Sequence, residues 1–270
     1  MFTPRNGEGI IGGMSISPIE STAGAELAVR VANGRSDSSA ALRELHSGDV
    51  MTREEFHALY ELTPAGFKAE LIDGVVFVAS PVGQWHGDYI YFVGGLLFTY
   101  QSRTSGVSGN TNSTLLLGPR DEPQPDLLLR IPPEFGGRTW TEPGKVEYLA
   151  GPPELVIEIA HSTRTVDLET KRLAYQRHGV QEYLVVCVGD REIRWFDLIR
   201  DERLQIPADG NIRVTRFPGL WLNVQAILDQ ESGDALRTLE AGLASPEHAE
   251  FVQWLEAERV RIVAGQAKPQ

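Results

Sequence analysis

The stretch Glu154–Lys171, ELVIEIAHSTRTVDLETK, limits the possible folds more than any other part of the chain. As a strand it turns Leu155, Ile157 and Ile159 to one side and Glu154, Val156, Glu158 and Ala160 to the other. Both sides are largely apolar, so the strand belongs inside a sheet that is covered on both faces. Glu158 sits within it, and a carboxylate there is costly unless it is neutralised, paired or bound to a metal. The following segment reads as a helix over Asp167–His178, closed by Gly179. Its Leu168, Lys171 and Tyr175 are three and four residues apart and share a face. That face packs on the sheet and takes the Lys171 amine with it. A second acid, Asp126, heads another apolar strand, PDLLLRI.

With 270 residues the chain can bury a sizeable core as one large domain or two small ones. The single cysteine, Cys187, excludes an intramolecular disulfide and fits a reducing compartment. It lies in the apolar run YLVVCV and reads as a buried, inert thiol. No apolar run is long enough to cross a bilayer, and the N-terminus shows no secretion signal. The cytoplasm is the default compartment. The net charge of −12 argues against a non-specific basic nucleic-acid binder. It leaves room for a nuclease, in which a local basic patch or metal ions make the contact.

Residues 1–48, rich in Gly, Ser, Ala and Asn, read as a poorly ordered extension with at most short helices over 25–32 and 38–46. Met14 is a second candidate start. The folded part opens at TREE, a capping box with Thr52 as N-cap and Glu55 reaching back, and the helix stops before Pro64. KAELIDGVVFVAS is a hairpin turning at Asp73-Gly74, with Glu70 in its first strand. Residues 81–85 form a loop. A helix follows over His86–Gln101, weakened by Gly94-Gly95. Strands are expected over Thr114–Leu117 and Asp126–Ile131, then a long loop over Pro132–Ala150. Beyond the central helix a hairpin joins Glu182–Val188 to Glu192–Leu198. Ile212–Phe217 reads as an edge strand, Leu222–Leu228 as a short closing helix, and Glu247–Val263 as an amphipathic helix.

Three acids, Glu70, Asp126 and Glu158, thus lie at or inside apolar strands, with Lys171 on the next inward face. Oxygen ligands of this kind suit Mg²⁺ or Mn²⁺, which keep waters and bridge to substrate phosphates. Such an ion lowers the pKa of a bound water and stabilises the leaving oxygen of a phosphoryl displacement. A nearby lysine positions the attacking water and offsets charge on the phosphoryl oxygens. On spacing alone an ordinary buried Glu158–Lys171 ion pair, with Asp126 capping a turn, stands beside this reading.

The ordered series ELIDG, SP followed by a His, QPDLLL, PELVIEIAHSTR, D-x-x-x-K, YQRHGVQEYLVV and FPGLWL resembles a bacterial family of restriction-endonuclease-like proteins. The family is abundant in cyanobacteria and belongs to the PD-(D/E)XK nuclease superfamily. The resemblance covers residues 51–228. It implies an α/β (α+β) restriction-endonuclease-like core, a mixed β-sheet flanked by helices. It also implies a metal site with Asp126 and Glu158 as ligands, the Ile159 backbone carbonyl beside them, and Glu70 completing it. The superfamily lysine two residues after the second acid is replaced here by Ala160. Lys171 matches the position to which this branch moves it, so Asp126, Glu158 and Lys171 are the expected catalytic residues.

The expected organisation is an extension over 1–48, a nuclease-like domain over 49–230 and a C-terminal helical extension over 231–270. The expected function is a Mg²⁺-dependent (or Mn²⁺-dependent) DNA endonuclease leaving 5′-phosphate and 3′-hydroxyl ends. DNA is the expected partner and no membrane is involved. The apolar face of the terminal helix and the pairing habit of nucleases point to a homodimer. The alternative is a catalytically silent nuclease fold that binds DNA or protein. A glycosidase would need a sugar-sized cleft with carboxyls about 5–9.5 Å apart, and it leaves the lysine without a task. His86 reads either as a substrate contact or as a surface or capping residue. Ser162 or Thr165 reads as a helix cap, Arg164 as a phosphate contact, Tyr175 and Tyr183 as core, and Asp121-Glu122 as a solvated loop face.

Overall fold

The computed structural model describes residues 44–79, 83–144, 146–160 and 166–266. The chain divides into two units, residues 1–43 and 44–270, and the first lies outside the described residues. Helix α1, Arg53–Tyr60, opens on the expected capping box: Thr52 Oγ1 accepts from the Glu55 N–H at 3.3 Å and Glu55 Oε2 from the Thr52 N–H at 2.9 Å. Strands β1, Ala69–Ile72, and β2, Val75–Val78, pair antiparallel. Asp73 and Gly74 both take positive φ, 52° and 77°, as a two-residue hairpin turn of the I′ kind requires. Leu71 and Val76 bury against Phe56 and Met51 in a small core of their own. Helix α2, Gln84–Arg103, runs unbroken through Gly94-Gly95, with Val93, Leu97 and Tyr100 buried.

Strands β3 (Ser108–Thr111), β4 (Leu115–Leu116) and β5 (Leu127–Arg130) follow. The segment expected as a long loop over Pro132–Ala150 is more ordered than that. It holds a single 3₁₀ turn, Pro133–Phe135, and strands β6, Trp140–Glu142, and β7, Tyr148–Ala150, which pair with each other while β7 pairs with β4. Strand β8, Leu155–Ala160, is buried along its whole length. A π-helical turn, Val166–Lys171, leads into helix α3, Arg172–His178, which ends at Gly179 with φ 85°. Strands β9 (Glu182–Cys187), β10 (Glu192–Asp197) and β11 (Glu202–Leu204) form a meander.

The main sheet has the order β11-β10-β9-β8-β5-β3. Its β8–β9 pair is parallel and the other pairs are antiparallel, so the sheet is mixed. Ile212 lies in no edge strand of this sheet. β12, Asn211–Arg213, pairs only with β13, Trp221–Asn223, as a separate two-stranded sheet. The closing helix α4 accordingly starts later than expected, at Val224, and runs to Asp229. It is followed by α5, Ser232–Leu243, and α6, Pro246–Gln266, within the stretch expected as a helical extension, although the sequence marked out only the second as a distinct helix.

One face of the sheet carries Leu127, Leu155, Ile157, Ile159 and Leu184 against Val93 and Leu97 of α2, Ile227 of α4, Leu239 of α5 and Leu255 of α6. Both C-terminal helices therefore contribute to the same core as the sheet. The other face carries Leu128, Val156, Ala160, Tyr183 and Val185 against Tyr175 of α3. Burying a Leu, Ile or Val side chain fully stabilises by about 1.5–3 kcal/mol. Such gains from two covered faces make it possible to hold a charged residue in the middle strand.

Candidate active site

Alternation along two adjacent strands builds the site. Asp126 stands two residues before Leu128, and Glu158 two after Val156, so both belong to the face covered by α3. Leu127 pairs with Ile157 as the last rung, and the same register continued beyond it sets Asp126 opposite Glu158. The two carboxylates interlock there. The Asp126 N–H donates to Glu158 Oε2 at 3.2 Å, and the Ile159 N–H donates to Asp126 Oδ2 at 2.8 Å. The paired register ends at Leu127 and Ile157, and side chains make the next contacts.

Lys171 arrives from the π-helical turn. Its Nζ lies 3.1 Å from Glu158 Oε1, 2.9 Å from Glu70 Oε1 and 3.7 Å from Asp167 Oδ1. Single π turns recur at functional sites, where the wider winding re-aims a side chain. Tyr175, one turn further on, donates its hydroxyl to Glu158 Oε1 at 2.8 Å. Glu70 comes from β1, on the opposite side from Leu71, and its Oε1 also accepts the Gln124 N–H at 2.6 Å. The four residues expected from the sequence, Glu70, Asp126, Glu158 and Lys171, are brought together. The structure adds Asp167, Tyr175 and His86 to them.

The electrostatics are those of a place short of positive charge. Burial pushes the Glu158 carboxyl well above its ordinary range; Lys171 pulls against this, while Asp126, Asp167 and Glu70 push it further. For Lys171, burial works against the charge, yet Glu158, Glu70, Asp167 and Asp126 outweigh it and hold the ammonium well above its usual pKa. Burial raises Asp126, but His86, Lys171 and the Ile159 N–H together leave it below its ordinary value. Four carboxylates thus face the Lys171 ammonium and the His86 imidazole. A divalent cation would balance the excess.

In the chemistry of their donors the residues present suit a hard dication. The side-chain donors are all carboxylate oxygens, the ligand type that suits Mg²⁺ and Mn²⁺. Glu70 and Glu158 share the amine rather than a common metal position in this arrangement. Among the described residues, the one group of three whose ligand atoms all lie within 4.8 Å of one another is Cys187, Asp190 and Glu192, not a trio of the acids around Lys171. Glu192 there already pairs with Arg194 and Arg203, and a thiolate is a softer ligand than Mg²⁺ selects.

Sequence reasoning missed three features. His86, on the first turn of α2, sets its Nε2 3.1 Å from Asp126 Oδ1. No spacing rule links residues so far apart in the chain. The Asp121-Glu122 pair is no solvated loop face, because both residues are buried. Asp121 Oδ2 meets His178 Nε2 at 2.8 Å and Arg177 at 3.1 Å, and Glu122 Oε1 meets His57 Nδ1 at 2.8 Å. An isolated antiparallel bridge between Glu122 and Leu71 ties this stretch to β1. Asp167 was visible in D-x-x-x-K, but only as a spacing. Tyr175 and Tyr183 are fully buried core residues, as expected, and Cys187 is a buried thiol. His161–Thr165, with the expected cap and the phosphate-contacting Arg164, lie outside the described residues.

A family profile described as "Putative restriction endonuclease", the Uma2 family, matches residues 53–225. The chain belongs to this family. The match spans α1 to α4 and every residue of the site. A solved structure described as a putative nuclease belonging to DUF820, from Anabaena variabilis, is similar in fold, with a TM-score of 0.51 at 14% sequence identity. The similarity covers 66% of this chain and 98% of that one. A search of curated proteins gave no match. The mixed sheet flanked by helices is therefore a nuclease fold. Among the described residues no helix is long and apolar enough to cross a membrane.

Proposed function

We propose that this member of the Uma2 family is a metal-dependent DNA endonuclease that hydrolyses phosphodiester bonds to 5′-phosphate and 3′-hydroxyl ends. The observation that carries the reading is the convergence of Glu70, Asp126, Glu158 and Asp167 on Lys171, with more carboxylate than cation. Asp126, Glu158, Glu70 and the Ile159 carbonyl would hold the ion, Mg²⁺ or Mn²⁺. When bound, it supplies Lewis-acid stabilisation of the phosphate oxygens and a water of lowered pKa.

The protein's own groups do the rest. Lys171 stays protonated among its carboxylates, so it acts as a donor and not as the base. It orients the water and offsets charge on the non-bridging oxygens. Tyr175, itself held protonated by burial, fixes the Glu158 carboxylate. The water oxygen would bond to phosphorus as its proton passes to solvent, the bond to the 3′ oxygen would break, and that oxygen would take up a proton from solvent, so that one water is consumed overall.

A second reading, a silent nuclease fold that binds DNA or protein, draws on the net charge of −12 and on the amine lodged between Glu70 and Glu158. Cleavage of supercoiled plasmid and of single-stranded DNA, with Mg²⁺ or Mn²⁺ and with chelator, separates the two. Cutting that needs metal and falls by about 100-fold or more in folded Asp126→Asn, Glu158→Gln and Lys171→Met is expected. A parent protein that neither cuts nor binds Mn²⁺ would move the assignment to the silent module.

A further inference from the structure

Each oxygen of Asp126 meets a donor from a different element. Ile159 of β8 supplies its backbone N–H to Oδ2 at 2.8 Å, and His86 of α2 sets Nε2 3.1 Å from Oδ1. An ionised carboxylate only accepts, so the ring nitrogen facing it carries the proton and His86 is the donor. Each carboxylate oxygen keeps a further lone pair for a ligand. The need for such a clamp follows from the strand. Asp126 precedes the first residue of β5, beyond the last paired rung of the β5–β8 ladder. Ladder pairing therefore does not fix the Asp126 side chain. The ring that does so is itself held: it lies edge-on to Trp85 with centroids 5.4 Å apart, and the His86 N–H donates to the Gly83 carbonyl. Both the His86 and the Asp126 side chains are mostly buried, at 17% and 13% exposure, so the contact is shielded from water.

We infer that His86 is a positioning residue for the metal: it holds the Asp126 carboxylate in the orientation that binds the ion. The inference rests on the metal-site reading above and adds to it a residue from a different element. It also gives α2 a task at the site, because the helix that packs on the far face of the sheet sends its first turn round to the carboxylates. Hydrogen-bond partners of metal ligands typically alter affinity by 10–100-fold when removed.

The test is calorimetric titration of Mn²⁺ into the full chain, with no substrate present. The parent is compared with His86→Ala, His86→Gln and Asp126→Asn, and thermal melts run in parallel. The glutamine amide can place a donor near the position of Nε2, so His86→Gln separates loss of the hydrogen bond from loss of the ring. The expected result is binding by the parent, about 10–100-fold weaker binding by His86→Ala at a near-parental melting temperature, and partial recovery in His86→Gln. Parental affinity in His86→Ala overturns the inference while leaving the metal site standing. Equal loss in both His86 variants, together with a lowered melting temperature, makes the residue a packing element and also overturns it. Absence of Mn²⁺ binding by the parent overturns the metal-site reading itself, and this inference with it.

Discussion

At the scale of residues, the balance at Lys171 decides how the site behaves. Removing one partner of a buried ionic cluster leaves uncompensated charge and costs about 3–5 kcal/mol. Glu158, Glu70 and Asp167 all lie within 4 Å of the amine, so Lys171→Met leaves three acids facing one another. Urea unfolding at neutral pH should show a loss of that size. Saturating Mn²⁺ should return more stability to Lys171→Met than it adds to the parent, because the ion replaces the lost positive charge. A variant as stable as the parent, with no response to Mn²⁺, would mean that the acids are held neutral and that the cluster is not a cation site. Tyr175 has a supporting part: its hydroxyl and the Lys171 amine meet the same Glu158 oxygen, which leaves Oε2 to the Asp126 side.

At the scale of elements, the site depends on three pieces staying in register: the β5–β8 pair, the π turn with α3, and the β1–β2 hairpin. Asp121 ties the last two together. It accepts the Asp73 N–H at the hairpin turn at 2.6 Å and meets both Arg177 and His178 at the end of α3. Burial raises its carboxyl, but His178, the Asp73 N–H and Arg177 outweigh burial and leave it below its ordinary value of 3.8. A folded-state pKa that is depressed adds stability above the unfolded value and loses it as pH falls through the folded one. Asp121→Asn should therefore cost about 1.5–3 kcal/mol near neutral pH. The difference from the parent should hold down to about pH 4 and shrink below it. Denaturant unfolding at several pH values reads this directly, and a difference that grew on acidification would contradict it.

The same elements show how far the sequence could be read. The β8 alternation, the Asp73-Gly74 turn, the Thr52 capping box and the inward face of Leu168, Lys171 and Tyr175 are local patterns, and each appears in the fold. Strand β3, Ser-Gly-Asn-Thr, has no apolar period and exists because it pairs with β5. The β6 and β7 strands hide in a Pro- and Gly-rich stretch for the same reason. The contacts of His86 with Asp126 and of Asp121 with His178 span 40 and 57 residues of sequence. Only the folded chain brings such pairs together.

At the scale of the whole molecule, one mixed sheet does two jobs. Its α2-facing side is a dry core that α4, α5 and α6 complete, and its α3-facing side carries the acids. Under the proposed function, a chain with a net charge of −12 would meet DNA against its own field, so local charge neutralisation at the site would have to make the contact. That requirement puts the weight of the account on where a cation binds. The most direct measurement is the anomalous diffraction signal of Mn²⁺ soaked into crystals of the parent protein. The account predicts a peak between the carboxylates of Asp126 and Glu158, beside the Ile159 carbonyl. A peak at Cys187, Asp190 and Glu192 instead, or none at all, would contradict it.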